Sequence, residues 1–236
     1  MNLLSFGEII WDSYGDSYTI GGAPLNLAAH YAIQGGDAWL ASAVGNDVLG
    51  TRATEHIKAL GLKTDYVSVL DGLQTGECVV TLDEKSVPKY NILENVAYDQ
   101  ISLPVTLNQT FDVIAFGTLA LRSKQNVEAL ECILRNNTFG EIYTDLNIRP
   151  PFYSKESIEF CLANATIVKI SDEELPLVTL QLFGKNVVCA DAYDLIAQNY
   201  PKIKLILITQ GEMGSTCYDC QNKKIYTCKA EPVTAV

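Results

Sequence analysis

The chain has 236 residues, 48% hydrophobic and 19% charged; it can bury a sizeable core, and the composition excludes a disordered chain. A formal net charge of −11 argues against a nucleic-acid partner, because phosphate binding needs a basic surface that releases counterions. No stretch approaches the roughly 18 uninterrupted apolar residues of a membrane helix, and the opening MNLLSFGEIIWD has no basic n-region, so a soluble, cytoplasmic protein without a membrane partner is expected.

Apolar runs alternate with helical patterns along the chain, which points to βα units and a largely parallel sheet. Residues 3–10 read as a buried strand and 23–34 as a helix, with Pro24 in its first turn and Gly35-Gly36 ending it. A strand at 38–44 follows, and Asp47 can cap a helix running to Gly61. The same logic predicts strands at 112–117, 141–145, 166–170 and 204–209, and helices at 124–136, 154–163, 172–182 and 190–199. In helix 124–136, Val127, Leu130, Ile133 and Leu134 mark one apolar face. Strand residues 113–116 and 205–208 read as buried on both faces.

Two regions break the rhythm. Segments 13–20 and 76–95 are strand-like, and a turn at Lys85–Pro88 folds 77–83 against 89–95 as a hairpin. Such an excursion from an α/β body suits a small sheet acting as a lid or a dimer surface. A second hairpin is expected from 214–219 and 223–228.

Ligands of open parallel sheets bind beyond the carboxyl ends of the strands, so the residues there are the candidates. They are Asp12, the turn Gly21-Gly22-Ala23-Pro24-Leu25-Asn26, and Asp145-Leu146-Asn147-Ile148-Arg149. Lys169, Ser171 and Glu174 follow, then Thr209-Gln210-Gly211-Glu212-Met213-Gly214. Each has a plain alternative. Asp12 is equally a turn residue. Gly21-Gly22 is a common helix entry, yet it also lets a ligand reach the backbone and the free N–H groups of a helix start. Asn26 in a first helical turn suits a side chain that hydrogen-bonds a hydroxyl. Ser171-x-x-Glu174 is foremost a capping box, and Thr209-x-Gly-x-x-Gly214 is a tight connection or a nucleotide loop.

The seven cysteines are scattered and odd in number, which suits reduced thiols. Cys217-x-x-Cys220 with Cys228 invites a zinc reading, but no second Cys pair is present and His30 and His56 lie in distant predicted helices. Partly buried thiols are the preferred reading.

In chain order these pieces resemble the ribokinase-like (PfkB) carbohydrate kinases over nearly the whole chain. The resemblance is carried by Gly7-Glu8 with Asp12, GGAPLN at 21–26, AVGNDVLG at 43–50, Thr75-Gly76, DLNIRP at 145–150, KISDEE at 169–174 and TQGEMG at 209–214. The proline form of the 21–26 turn resembles fructokinases more than ribokinases. The implied fold is a three-layer α/β/α domain with a central, mostly parallel sheet and a small β-sheet lid near 13–20 and 76–95. The whole of 1–236 would form that one domain.

The implied activity is transfer of the γ-phosphate of ATP to a ketohexose, fructose first, with another sugar, a sugar acid or a nucleoside as alternatives. Asp12, Gly22, Asn26 and Arg149 would bind the sugar, with Arg149 offsetting charge on the transferred phosphate. Lys169, Thr209, Gly211 and Gly214 would contact the nucleotide, and Glu174 would hold magnesium through water. A monovalent cation such as potassium and a homodimer through the lid belong to the same expectation. Ser171 stands where many relatives have Asn, which puts any magnesium role of that position in doubt.

The family's second signature, Asp-Thr-x-Gly-Ala-Gly-Asp, is expected just after 223–228, where the chain reads Glu231-Pro232-Val233-Thr234-Ala235-Val236. The last Asp of that signature is the proton-abstracting base, so the resemblance puts the base beyond Val236. A non-catalytic sugar- or nucleotide-binding protein is the rival from another class.

Overall fold

The first seven residues already show how the chain differs from a simple reading of its hydropathy. In the computed structural model, which describes residues 1–82, 88–187 and 190–231, the apolar run 3–10 serves two sheets. Strand β1 (Asn2–Phe6) stops where Gly7 N–H donates to the Ala41 carbonyl, 3.1 Å away, and β2 (Ile10–Tyr14) begins the second sheet. Hydropathy cannot register this break, because both halves are apolar and buried.

The chain divides into two compact units, Met1–Gly140 and Glu141–Val236. In the first unit β3 (Ser17–Gly21) and α1 (Ala23–Ile33) follow, then β4 (Asp37–Gly45), α2 (Val48–Ala59), β5 (Lys63–Leu70) and β6 (Gly76–Leu82). After β7 (Pro88–Ile92) come β8 (Phe111–Phe116) and α3 (Lys124–Asn136). Strands β8, β1, β4 and β5 lie side by side, all parallel. Leu4, Phe6, Leu40, Ala41 and Ile114 are fully buried there, as expected of parallel strands covered on both faces.

Hydropathy does not reveal β5: its sequence KTDYVSVL is half polar, and only Tyr66 is buried. It is the edge strand, where the ladder with β4 rather than an apolar face holds the segment. Strands β3, β2, β6 and β7 make a separate four-stranded sheet. The expected hairpin is there, with β6 antiparallel to β7 and Cys78 opposite Ile92. Residues 85–87 of its expected turn lie outside the described residues.

Helix α1 starts as its sequence suggests, with Pro24 in the first turn. Asp47 caps α2, its carboxylate accepting from Gly50 N–H at 2.7 Å. In α3, Leu130 and Ile133 are buried as the spacing predicts, but so is Asn126. The Asn126 amide is fully used: it accepts from Ile101 N–H and donates to the Tyr98 and Ala120 carbonyls. A buried amide with its bonds satisfied carries no net penalty.

In the second unit β9 (Phe139–Asp145) leads to α4 (Lys155–Asn164), β10 (Ile167–Ser171), α5 (Leu175–Phe183), α6 (Ala190–Asn199), β11 (Leu205–Thr209), β12 (Ser215–Asp219) and β13 (Lys224–Cys228). Strands β9, β10 and β11 are parallel, and β12 and β13 extend them antiparallel as the expected hairpin. The expected helix 172–182 begins only at Leu175, because residues 172–174 form a turn ahead of Pro176. Residues 205–208, expected to be buried on both faces, alternate instead: Ile206 and Ile208 are buried, Leu205 and Leu207 only half-buried. One side of that strand stays partly open among the described residues. The α/β class, with a large, mostly parallel sheet and a smaller second sheet, is as expected.

Candidate functional site

Within the first unit, Asp12 sits mid-strand in β2, between Thr19 of β3 and Cys78 of β6. It is half-buried, and burial pushes its carboxyl above the ordinary value against the opposing effect of a hydrogen bond with Cys78. Gly22 is the residue before α1, with φ 116°, and a Cβ there would come within 2.5 Å of the Glu8 carbonyl oxygen. Only glycine fits that conformation and that approach. Glu8 itself is 3% exposed, and its Oε1 accepts the Ala23 N–H at 3.1 Å. The amino end of α1, where free N–H groups attract negative charge, thus already holds a protein carboxylate. Asn26 follows in the first turn and is exposed, its N–H closing the first helical bond to Gly22 at 2.9 Å.

Around these residues lies a polar framework that sequence reading touched only in part. Asp47, expected only as a cap, also accepts from Thr75 N–H at 2.8 Å and from the Thr75 hydroxyl at 2.7 Å. Thr75 Oγ1 in turn accepts from Gly45 N–H. Burial works to raise the Asp47 pKa, but the hydrogen bonds from Thr75, Gly50 and Leu49 prevail and hold it below the ordinary carboxyl range. Arg122, Asp99 and Tyr98 carry no sequence signal. Arg122 binds both Asp99 oxygens, at 2.8 and 2.9 Å, donates to the Leu93 carbonyl at 2.7 Å and stacks on the Tyr98 ring. Tyr98 is fully buried, and its hydroxyl has no hydrogen-bond partner among the described residues.

The second unit brings its candidates to the carboxyl ends of three neighbouring parallel strands. Asp145 ends β9 opposite Lys169 of β10, whose Nζ lies 2.9 Å from both carboxylate oxygens. Burial raises the Asp145 pKa, with Lys169 and Arg149 opposing and Glu174 adding to it. Glu174 uses both oxygens within the protein: Oε1 accepts Ile148 N–H at 2.6 Å and Oε2 accepts Ser171 N–H at 2.8 Å. Its own N–H donates to Ser171 Oγ. The capping-box bonds therefore exist, but they close the turn before α5 and tie the loop after β9 to it. Arg149 is exposed in that loop. Thr209 ends β11 beside Ser171 of β10 and Ser215 of β12.

Gly211 opens a single 3-10 turn, 211–213, and Gly214 ends it with φ 100°. A Cβ on Gly214 would run into the Cys228 carbonyl oxygen, so this glycine is required by the β12–β13 hairpin whatever else it contacts. Among the described residues no three His, Cys, Asp or Glu side chains converge as a metal-ligand set. Cys217 and Cys220 are half-buried free thiols, with Cys220 pushed up to about 11, chiefly by burial. His30 and His56 are exposed helix residues, as expected. No helix among the described residues is long and apolar enough to cross a membrane.

The parallel strands deliver carboxylates, a lysine and glycine turns to their carboxyl ends, the place where α/β proteins generally take their ligands. The pfkB family carbohydrate kinase profile matches residues 6–236, and the chain belongs to that family. It is similar to Fructokinase-2 of Solanum habrochaites, 25% identical over 241 residues that cover 92% of this chain and 71% of the relative. Among solved structures it resembles fructokinase with bound ATP from Xylella fastidiosa, with TM-score 0.85 and 20% identity over 99% of this chain and 75% of that one. It also resembles aminoimidazole riboside kinase from Salmonella enterica, complexed with aminoimidazole riboside and an ATP analog. There the TM-score is 0.81 and the identity 19%, over 100% of this chain and 79% of that one.

Proposed function

We propose that this chain binds a ketohexose, fructose first, and transfers the γ-phosphoryl group of ATP to one of its hydroxyls. The observation that carries the reading is Asp12, a half-buried carboxylate beside a thiol and a hydroxyl in mid-strand, where no capping or turn role accounts for it. The fructokinases among the relatives support fructose. The likeness to aminoimidazole riboside kinase favours a nucleoside as the second reading.

In this account Asp12 accepts hydrogen bonds from two sugar hydroxyls, while the Gly22 backbone and the exposed Asn26 amide hold the same ring. Lys169 and Arg149 offset charge on the phosphoryl group, and Thr209, Gly211 and Gly214 line the nucleotide. Phosphoryl transfer is mostly positioning and charge stabilisation, which these groups supply without covalent chemistry.

Glu174 would hold a magnesium ion, which would supply positive charge against the phosphates. Glu174 suits contact through a hydrating water, because both its oxygens already accept main-chain N–H groups. Asp145 is a further carboxylate within electrostatic reach of Glu174. The small sheet serves as the lid in this reading, and as the surface through which a homodimer would form.

Titration calorimetry with fructose tests the acceptor half. Asp12→Ala should weaken binding by at least about tenfold, the scale of a lost charged hydrogen bond, and unchanged affinity would sink the assignment. A coupled assay with ATP, magnesium and fructose tests catalysis by this chain. Binding of both ligands without turnover would instead make it a sugar- and nucleotide-binding protein.

A further inference from the structure

The small sheet has a face that the assignments above use only at Asp12. Side chains alternate between the two faces of a strand, so Asp12 shares its face with Ile10 and Tyr14 of β2. The strand registers add Ser17 and Thr19 from β3, Cys78 and Val80 from β6, and Tyr90 and Ile92 from β7. At the buried end stand Ile10, Gly21 and Gly76; toward the other end Tyr14 is 50% and Tyr90 63% exposed. Tyr14 lies within electrostatic reach of Asp12, Tyr90 and Cys78. Among the described residues this face carries one carboxylate and no lysine or arginine: Lys89 alternates onto the opposite face, with Trp11 and Glu77.

We infer that Tyr14 and Tyr90 form an aromatic wall for the phosphate acceptor, and that this face selects a neutral ring over a sugar acid or a sugar phosphate. The inference rests on the acceptor reading above and narrows it. A sugar ring has an apolar C–H face and a rim of hydroxyls. A carboxylate about two residues along a strand from an aromatic ring, a spacing of ~7 Å, can take the rim while the ring takes the C–H face. The phenols bury area at little conformational cost, having only two side-chain torsions each. An anionic substituent brought to the same face meets Asp12 with no cation among the described residues of this face to offset it, and like charges at close range are strongly unfavourable. Val80, paired with Tyr90 in the register of β6 and β7, is buried.

Calorimetric titration of the whole chain with fructose, fructose 6-phosphate and gluconate tests this, with ATP titrated in parallel. Tyr14→Ala and Tyr90→Ala should each weaken fructose binding roughly three- to tenfold, the worth of one aromatic contact, and leave ATP affinity unmoved. Tyr14→Phe and Tyr90→Phe should retain fructose affinity, because the ring and not the hydroxyl makes the wall. The unmodified protein should bind both anions at least about tenfold more weakly than fructose. Alanine variants that bind fructose like the unmodified protein, while Asp12→Ala does not, would overturn the aromatic wall and leave the acceptor reading standing. Phenylalanine variants as weak as the alanine ones would also overturn it, and equal affinity for fructose 6-phosphate would overturn the neutral-ring selection. If Asp12→Ala has no effect either, the acceptor reading itself has failed.

Discussion

Asp12 is held between two influences, and their balance sets how it should behave with pH. Burial disfavours its charged form and outweighs the hydrogen bond with Cys78, so its pKa is raised. A carboxylate that must accept hydrogen bonds from hydroxyls works only when ionised. Fructose affinity should therefore begin to fall with acidification at a higher pH than an ordinary aspartate, of pKa 3.8, would allow. Affinity that stays flat until well below the ordinary value of 3.8 would contradict this. Asp47 has the opposite sign. Its folded pKa is depressed, so the stability it contributes is present above the ordinary value of 3.8 and is lost as pH falls through the lower folded value. Asp47→Ala removes a cap and leaves Thr75 N–H without its acceptor. It should cost about 2–4 kcal/mol in urea unfolding at neutral pH, with the difference from the unmodified protein shrinking in acid.

Two contacts between elements carry consequences of their own. Arg122 and Asp99 are about one-tenth exposed, and together they hold the end of β7 through the Leu93 carbonyl. Removing one partner of a buried pair strands the other charge, so Arg122→Ala should destabilise by about 3–5 kcal/mol. A cost below ~1 kcal/mol in chemical unfolding would show that the pair behaves as a surface bridge. Glu174 joins the loop after β9 to the turn before α5. Glu174→Ala should cost about 1–3 kcal/mol and weaken ATP binding, whereas Glu174→Gln, with one acceptor oxygen left, should fall between. Neither contact was legible in the chain. Arg122 and Asp99 stand 23 residues apart with no periodicity relating them, and Ser171-x-x-Glu174 looks identical whether it caps a helix or closes a turn before one. Edge strand β5 escaped for a related reason, since ladder bonds leave no mark on side-chain pattern.

For the molecule as a whole, ligand binding and stability are one measurement. Fructose at 100 times its Kd should stabilise the folded state by about 2.7 kcal/mol, a rise of roughly 5–10 °C in Tm for a chain of this size. A tenfold loss of affinity in Asp12→Ala should cut that rise to roughly half at the same sugar concentration, and an undiminished rise would place fructose elsewhere. The family was legible from seven short motifs in order, and most strands and helices from hydrophobic period and turn residues, because those signals are local. Asp145, Lys169 and Thr209 lie at the carboxyl ends of parallel strands as that order suggests, whereas Asp12, expected beyond a strand end, lies mid-strand in the second sheet. Tertiary structure alone decided that residues 3–10 belong to two sheets and that Glu8 fills the start of α1. It alone gave Glu174 two main-chain partners and put Tyr14 and Tyr90 on the face of Asp12. Those facts depend on which strands pair and in what register, and register is set by contacts between residues far apart in the chain.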